Sequence, residues 1–510
     1  MKKIQTNKYD LVLINTPNAI GPNTIRLGLL TIAAYVRQYG FTVTILDGSL
    51  WSIKRQIVNL DLNNTVVGLT ATTDVAIITY NLCKFIKKHY SSACCILGGF
   101  HATALPEQTL DESDFDLIVF GEGELTMLDI LNAYKNKSGL ENISGTVIRK
   151  NGLIIRNKPR ELIRNLDILP RPAYDLIQIE KHFGGIRCER VSFKRCLYLL
   201  VSRGCLFDCV FCDSKIMWER KLRWHSMDYI IGLIKHAVQE FNIDSIAFLD
   251  DELLCDKNRV IAFTDYFVKS GLAKRIKWEC QARVKSVDKE MLIRLKESGC
   301  QLVRFGIESG SQKSLTFLKK GTNKVEDCFK AVQLCREVGL PAFGSFIIGS
   351  PQEDVEDIMQ TIYFIEKSGL SSAALFVATP YPGTDLFKLC KENKYFIPDI
   401  KWTDFMVEGN NVKSVIRNNY FTAQQLRYIR DYINITVIRP LNMGKKPRKL
   451  DHRKEIMNIL SGKFSFVLKV RIMFAQIKDN WRKGIRRPHK ILPYVMSKIM
   501  KIEKITGMFL

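Results

Sequence analysis

The sequence predicts an α/β protein built from two successive parallel-sheet units and a basic, helical end. Three observations predict this. Short apolar runs alternate with helical patterns over residues 9–120, and the alternation restarts at 197, after a bridge containing Pro170 and Pro172. From about 406 the pattern turns helical, and residues 411–510 carry 23 Lys and Arg against five Asp and Glu. A chain of 510 residues exceeds one core and suits about three domains.

The first unit, residues 1–140, has apolar runs at 11–15, 42–46, 66–69, 94–97 and 117–120. Helical stretches such as LLTIAAYVRQYG and VAIITYNLCKFIKKHY separate them. Apolar runs without polar alternation, spaced by helices, read as a doubly wound parallel sheet. Ligands of such sheets bind beyond the carboxyl ends of the strands. The loops there, NTPN, DGS, TATTD, GGFHATALPE and GEGE, are rich in Gly, Thr and Ser, which permit close backbone approach and hydrogen bonding. GEGE lacks the third glycine of a dinucleotide fingerprint.

Residues 141–190 read as a connector, with a hairpin signal at Asn151-Gly152 and an extended LPRPAYD bridge. Residues 191–405 carry six further strand patterns, at 197–202, 245–249, 276–281, 302–307, 342–348 and 373–378. Six βα units fall short of a full eight-stranded barrel and predict a partial (β/α)6 barrel. Asp250, Asp251, Arg283, Glu308 and Ser345 sit at its strand ends, where barrel chemistry is placed. Residues 406–510 form the helical basic region.

An apolar fraction of 46% with 25% charged residues suits a soluble globular protein. The first residues, MKKIQTNKYD, carry no signal-peptide pattern, and no uncharged apolar run is long enough to span a bilayer. The 14 cysteines are therefore expected in a reducing cytoplasm, where metal binding or catalysis outranks disulfide bonding. Of the net charge of +24, the last hundred residues supply +18, so the positive field belongs to the C-terminal region.

The stretch VSRGCLFDCVFCDS sets Cys205, Cys209 and Cys212 on one loop, leaving the first barrel strand. Structural zinc and simple ferredoxin clusters each need four ligands. Three thiolates on a cubane cluster leave one iron open, and an open coordination site on a metal is a catalytic arrangement. The CxxxCxxC spacing, with Phe211 before the third cysteine, resembles the signature of the radical S-adenosylmethionine (SAM) superfamily. The order of GGFHATALPEQTL, FGEGE, LPRPAYDLI, FLDDEL, FGIESGSQKSL, FGSFIIGSPQED and TPYPGT resembles the cobalamin-binding members over about residues 9–390. These include class B radical SAM methyltransferases and anaerobic Mg-protoporphyrin monomethyl ester cyclase-type proteins.

The resemblance implies an N-terminal Rossmann-like, cobalamin-binding sheet followed by the radical SAM barrel. It implies that Cys205, Cys209 and Cys212 hold a [4Fe-4S] cluster whose open iron chelates SAM. Phe211 would lie near the adenine. Asp250, Asp251 and Glu252 would meet the SAM ammonium, Arg283 and Glu308 its carboxylate and ribose, and Ser345 and Gly349 would border the pocket. Strand-end packing or salt bridging is the alternative for each residue outside the loop. The cluster would cleave SAM to a 5′-deoxyadenosyl radical, with methylcobalamin donating a methyl group to an unactivated carbon of a natural-product or lipid substrate. Alternatives are cyclisation or rearrangement without methyl transfer, an iron–sulfur electron carrier, or RNA modification.

None of the seven histidines lies in the D-x-H-x-x-G pattern that ligates cobalt in many cobalamin domains. Cobalamin is therefore expected without a histidine ligand, held by Thr70, Thr72, Thr73, Gly98, Gly99 and Gly121. His101 is counted among the contacts, with a hydrogen-bonded loop histidine as the alternative. The expected partners are a small-molecule or lipid substrate and a one-electron reductant of the flavodoxin or ferredoxin type. KKPRK, SGKFSFVLKVRIMF and NWRKGIRRPHK interleave cations with bulky apolar residues. They suit either a solvated cap or peripheral contact with an anionic membrane surface. RNA ranks below both, because Cys83, Cys94 and Cys95 do not reproduce the extra cluster ligands of tRNA methylthiotransferases. Cys188 and Cys196 read as packing thiols.

Overall fold

Continuous burial on both faces is what makes the apolar runs into central strands. In the computed structural model, which describes residues 8–17, 26–183, 193–407, 412–445 and 450–462, the first sheet contains seven strands. They are β1 (Leu11–Ile14), β2 (Val43–Leu46), β3 (Val66–Thr70), β4 (Cys94–Gly98), β5 (Leu117–Val119), β6 (Thr146–Lys150) and β7 (Leu153–Arg156). Their order is β2-β1-β3-β4-β5-β6-β7. The first five pair in parallel, and β1 is buried along its whole length. The order reverses between β1 and β3, and the loops at that switch open a ligand crevice.

The hairpin β6–β7 is no free-standing connector. β6 pairs antiparallel with β5, Leu117 opposite Ile148, so the hairpin extends the first sheet. Its outer strand is mostly exposed, as an edge strand of an antiparallel pair can be.

The second sheet uses β8 (Cys196–Leu199), then, after the two-residue ribbon strands β9 (Ser202–Arg203) and β10 (Arg223–Trp224), β11 (Ser245–Phe248), β12 (Lys277–Ala282), β13 (Cys300–Glu308), β14 (Ala342–Ile348) and β15 (Ser372–Val377). Its order, β15-β14-β13-β12-β11-β8, is sequential and parallel throughout, the expected six-stranded partial barrel. Trp278 on β12 is fully buried, edge-on to Phe248 and Phe263 at 5.8 and 5.5 Å. Its indole N–H donates to the Ser298 carbonyl at 2.9 Å, so the ring is buried without losing a polar partner.

Six strands leave β15 as an open edge. The C-terminal helices cover it. The helix Ala423–Ile433 continues through a π-turn at Asn434–Ile438 into Arg439–Asn442, and Asn442 both accepts from the Ala373 N–H (2.8 Å) and donates to its carbonyl (3.0 Å). Edge backbone groups satisfied in this way cannot recruit another strand. The following helix, His452–Leu460, is tied down by His452, which bridges Tyr432 and Glu366. Most of SGKFSFVLKVRIMF and of KKPRK, all of NWRKGIRRPHK, and Cys188 lie outside the described residues. Among the described residues, no helix is long and apolar enough to cross a membrane.

One segment returns from the second unit to the first. Trp402 donates from its indole to Glu112 at 3.1 Å and sets its ring edge-on to His101 at 5.2 Å. Truncating Trp278 removes a large core ring and an internal hydrogen bond. Trp278→Ala is expected to cost about 3–5 kcal/mol, read as a lowered urea midpoint by circular dichroism.

Candidate functional site

The cysteine loop begins where β8 ends. Gly204 stands at φ +98°, and a Cβ there would lie 2.1 Å from the Lys221 carbonyl oxygen. Only glycine lets the β9–β10 ribbon close just before Cys205. Beyond it the chain turns tightly, with the Cys212 N–H donating to the Cys209 carbonyl at 3.2 Å. Cys209 is buried, while Cys205 and Cys212 are partly exposed. Lys215 and Lys320 pin the loop from outside through Asp208, at 3.0 and 2.5 Å.

Of the three thiols, Cys209 faces a cation. The Arg283 guanidinium approaches Cys209 Sγ at 3.9 Å, lies 3.5 Å over the Phe207 ring, and is held by Thr322 and Asn323 at 2.7 Å each. Burial pushes the Cys205 thiol up and Cys212 up to about 12, so metal loading must displace protons. Among the described residues, no three His, Cys, Asp or Glu side chains close on one ion position. A mononuclear ion requires such a point, whereas a cubane meets each thiolate with a separate iron. Three soft sulfur donors on one loop beside a fixed guanidinium fit an iron–sulfur cluster.

The other strand-end candidates divide. Glu252 is buried, its Oε2 accepts from the Arg283 N–H at 3.1 Å, and its Oε1 has no described partner. Asp251 accepts from the Ser214 hydroxyl at 2.6 Å. Glu308, in the left-handed region at φ +68°, pairs with Lys319 at 2.9 Å, and the Lys319 ammonium sits 5.4 Å over the Phe211 ring. Ser345 donates to the Phe305 carbonyl at 3.3 Å.

Asp250 and Gly349 make the strand-end packing contacts that the sequence left as the alternative for each. Asp250 is completely buried, and its Oδ1 accepts from the Val201 N–H and the Ser202 hydroxyl, so it braces the base of the cysteine loop. Gly349 donates to Glu353, and a Cβ on it would meet Leu426 of the C-terminal helix at 3.0 Å.

A cavity of about 480 Å³ lies between the carboxyl ends of the two sheets. Thr70, Thr72, Gly98, Gly99 and Gly121 line its first wall; Leu200, Met217, Trp218 and Leu249 line the other. Gly121, at φ +77°, has open space where a Cβ would stand, leaving backbone free to meet a ligand. Hydroxyls and bare backbone along an apolar slot fit a large, mostly apolar cofactor with amide edges such as cobalamin.

Two expected cobalamin contacts are absent from this wall. The short helix Phe100–Ala104 rotates His101 inward, where it is 1% exposed. Its ring nitrogens meet the Tyr80 hydroxyl at 2.9 Å and the Thr73 hydroxyl at 3.3 Å, and burial lowers it to about 4. His101 and Thr73 form a satisfied core pair behind the cavity.

The walls are joined by ions that the sequence left unassigned. Arg203 reaches Glu122 at 2.6 Å and Glu124 at 2.5 Å, and Arg223 reaches Glu122 at 2.9 Å. Burial pushes Glu122 up, yet the two guanidiniums hold it below its ordinary value. Both cations lie 5.7 Å over Trp218. The quoted FGEGE and VSRG motifs contain Glu122, Glu124 and Arg203; their pairing is a tertiary fact.

Comparison with known proteins agrees with this geometry. A model described as the radical SAM superfamily matches residues 199–365, and one described as a B12 binding domain matches residues 18–131. An uncharacterised methyltransferase of Pyrococcus horikoshii is 34% identical, over 82% of this chain and 90% of its own length. The chain belongs to the cobalamin-binding radical SAM family. Cytidylyl-2-hydroxyethylphosphonate methyltransferase of Streptomyces wedmorensis is 26% identical, over 78% of this chain and 84% of its own. The solved cobalamin-dependent radical SAM enzyme OxsB, with aqua-cobalamin and SAM bound, shares the fold at a TM-score of 0.67 and 16% identity, over 99% of this chain and 82% of its own. For this radical SAM protein the cofactors are a [4Fe-4S] cluster, SAM and cobalamin.

Burial raises the Asp250 carboxyl from the ordinary 3.8 to about 7. Between those values the unfolded chain ionises it while the folded chain keeps its proton, so this group's stabilising effect is lost as pH rises through about 7. Asp250→Asn keeps the Oδ1 acceptor and removes the titration. Relative to wild type it is expected to gain stability from pH 4 to pH 7, read from urea midpoints at both ends.

Proposed function

We propose that Cys205, Cys209 and Cys212 hold the [4Fe-4S] cluster, that the glycine and threonine wall takes cobalamin, and that the chain methylates an unactivated carbon. The substrate is a small natural product or lipid. One observation carries this reading: Arg203, two residues before Cys205, lines the cavity with the glycine and threonine residues and pairs with Glu122 and Glu124, so the segment leading into the cysteine loop is tied to the cobalamin wall. An electron carrier needs no such chamber, whereas methyl transfer needs both cofactors within reach of one substrate. Methyltransferase function among relatives supports the same choice.

The bound cofactors supply a radical initiator and a methyl donor; the protein supplies placement. Arg283 keeps a positive charge beside the Cys209 sulfur. Glu252 Oε1, buried without a described partner, accepts from the SAM ammonium. Lys319, fixed by Glu308, holds a charge over Phe211 on the adenine side. The apolar residues of the second wall exclude water from the reacting carbon. The reductant is assigned to the flavodoxin or ferredoxin type.

Anaerobic reconstitution is expected to give about four irons per chain and bound cobalamin. Reduced protein incubated with SAM and substrate should release both S-adenosylhomocysteine and 5′-deoxyadenosine. Cys209→Ala should lose the iron and both products. Iron retained by the triple alanine variant would sink the cluster assignment, and 5′-deoxyadenosine alone would redirect the chemistry to cyclisation. The basic C-terminal sequence is assigned to an anionic membrane surface. Co-pelleting with phosphatidylglycerol vesicles should fall at least tenfold in a chain ending at residue 444, and unchanged pelleting would refute that assignment.

A further inference from the structure

The second wall of the cavity is apolar apart from Arg203, Tyr174, Tyr229, His225 and the indole N–H of Trp218, and Tyr174 is committed through its hydroxyl to the Tyr198 carbonyl at 3.1 Å. Arg203 gives its terminal nitrogens to Glu122 and Glu124. The Tyr229 hydroxyl donates to the Pro170 carbonyl at 3.1 Å. That leaves His225 as the acceptor, which lines the cavity and is 6% exposed.

Two contacts fix the His225 ring. It stacks on Tyr229 with centroids 3.9 Å apart and planes 10° from parallel. Its Nδ1 lies 3.1 Å from the Asp167 carboxylate, which also accepts from the Ser226 N–H at 2.9 Å. Burial lowers the ring to about 4, outweighing Asp167, so it is neutral at ordinary pH. A neutral imidazole that donates from Nδ1 carries its lone pair on Nε2. Among the described residues Nε2 has no partner.

We infer that His225 Nε2 is the specificity-determining acceptor for the substrate, which is a neutral, largely apolar molecule presenting one O–H or N–H donor. Of the two cations that line the cavity, Arg203 is neutralised by two glutamates and Arg26 has the Asp74 carboxylate near it, so neither is set aside for a phosphate or carboxylate. It offers apolar area from Leu200, Met217, Trp218, Leu233 and Leu249 for the remainder. A site built around one buried acceptor rejects analogues lacking the donor, since the acceptor would then lie dry and unpaired. This inference rests on the proposed function and names its substrate class.

The test uses cobalamin- and cluster-loaded full chain with three probes in anaerobic equilibrium dialysis: 2-naphthol, 2-methoxynaphthalene and 2-naphthyl phosphate. Wild type is expected to bind 2-naphthol about tenfold more tightly than the methoxy probe, as one well-made hydrogen bond allows, and to bind the phosphate most weakly. His225→Phe should bring the first two within twofold, while His225→Gln, which keeps an acceptor, should retain at least half of the preference on a logarithmic scale. Equal binding of the two neutral probes by wild type, tightest binding of the phosphate, or binding of none overturns the inference without recourse to a variant. A preference unchanged in His225→Phe overturns it as well. Cobalamin content and SAM cleavage in the same wild-type preparation report separately on the proposed function, so the two failures are distinguishable.

Discussion

The buried ion cluster of Arg203, Arg223, Glu122 and Glu124 is the constraint on which the rest of the molecule depends. Glu122 and Glu124 follow β5 of the first sheet; Arg203 and Arg223 form the ribbon that carries the cysteine loop out of the second. Desolvating four charges is costly, and such clusters seldom add net stability over well-packed apolar residues. Their effect is geometric. Opposed charges at 2.5–2.9 Å with shared hydrogen bonds tolerate little sliding, so the two sheet ends meet in one register. Glu122 also accepts from the Ile163 N–H at 2.7 Å, which draws the connector into the same lock.

With that register set, each wall of the chamber can be simple. The first needs only hydroxyls and bare backbone, as at Thr70, Thr72 and Gly121. The second needs apolar bulk and one oriented imidazole. Around the cysteine loop the logic is different. Charges there are matched locally, Arg283 to a thiol and Lys319 to Glu308, so the loop is electrostatically prepared before any cofactor arrives. The carboxylate of Asp250 braces the loop through the Val201 N–H and the Ser202 hydroxyl.

Much of this was legible in the sequence, for identifiable reasons. Strands of a parallel sheet are buried on both sides, so β1, β4 and β5 appear as apolar runs. The three cysteines are legible because their spacing on one loop is itself the chemical signal. The sequence could not reveal that β6 pairs with β5, since alternation marks a strand but not its neighbour. Nor could it pair Arg203 with Glu122, 81 residues away. For His101 the sequence offered a cobalamin contact and a hydrogen-bonded histidine, and the hydrogen-bonded reading holds, with Tyr80 and Thr73 as partners and one turn of helix swinging the ring into the core.

Trp402 has an implication for how the molecule is made. Its indole bonds to a residue 290 positions earlier, closing over the His101 face of the first sheet. Domains generally fold in order as the chain leaves the ribosome. The amino-terminal sheet therefore emerges and takes shape before Trp402, 290 positions after Glu112, is available to pack on its His101 flank.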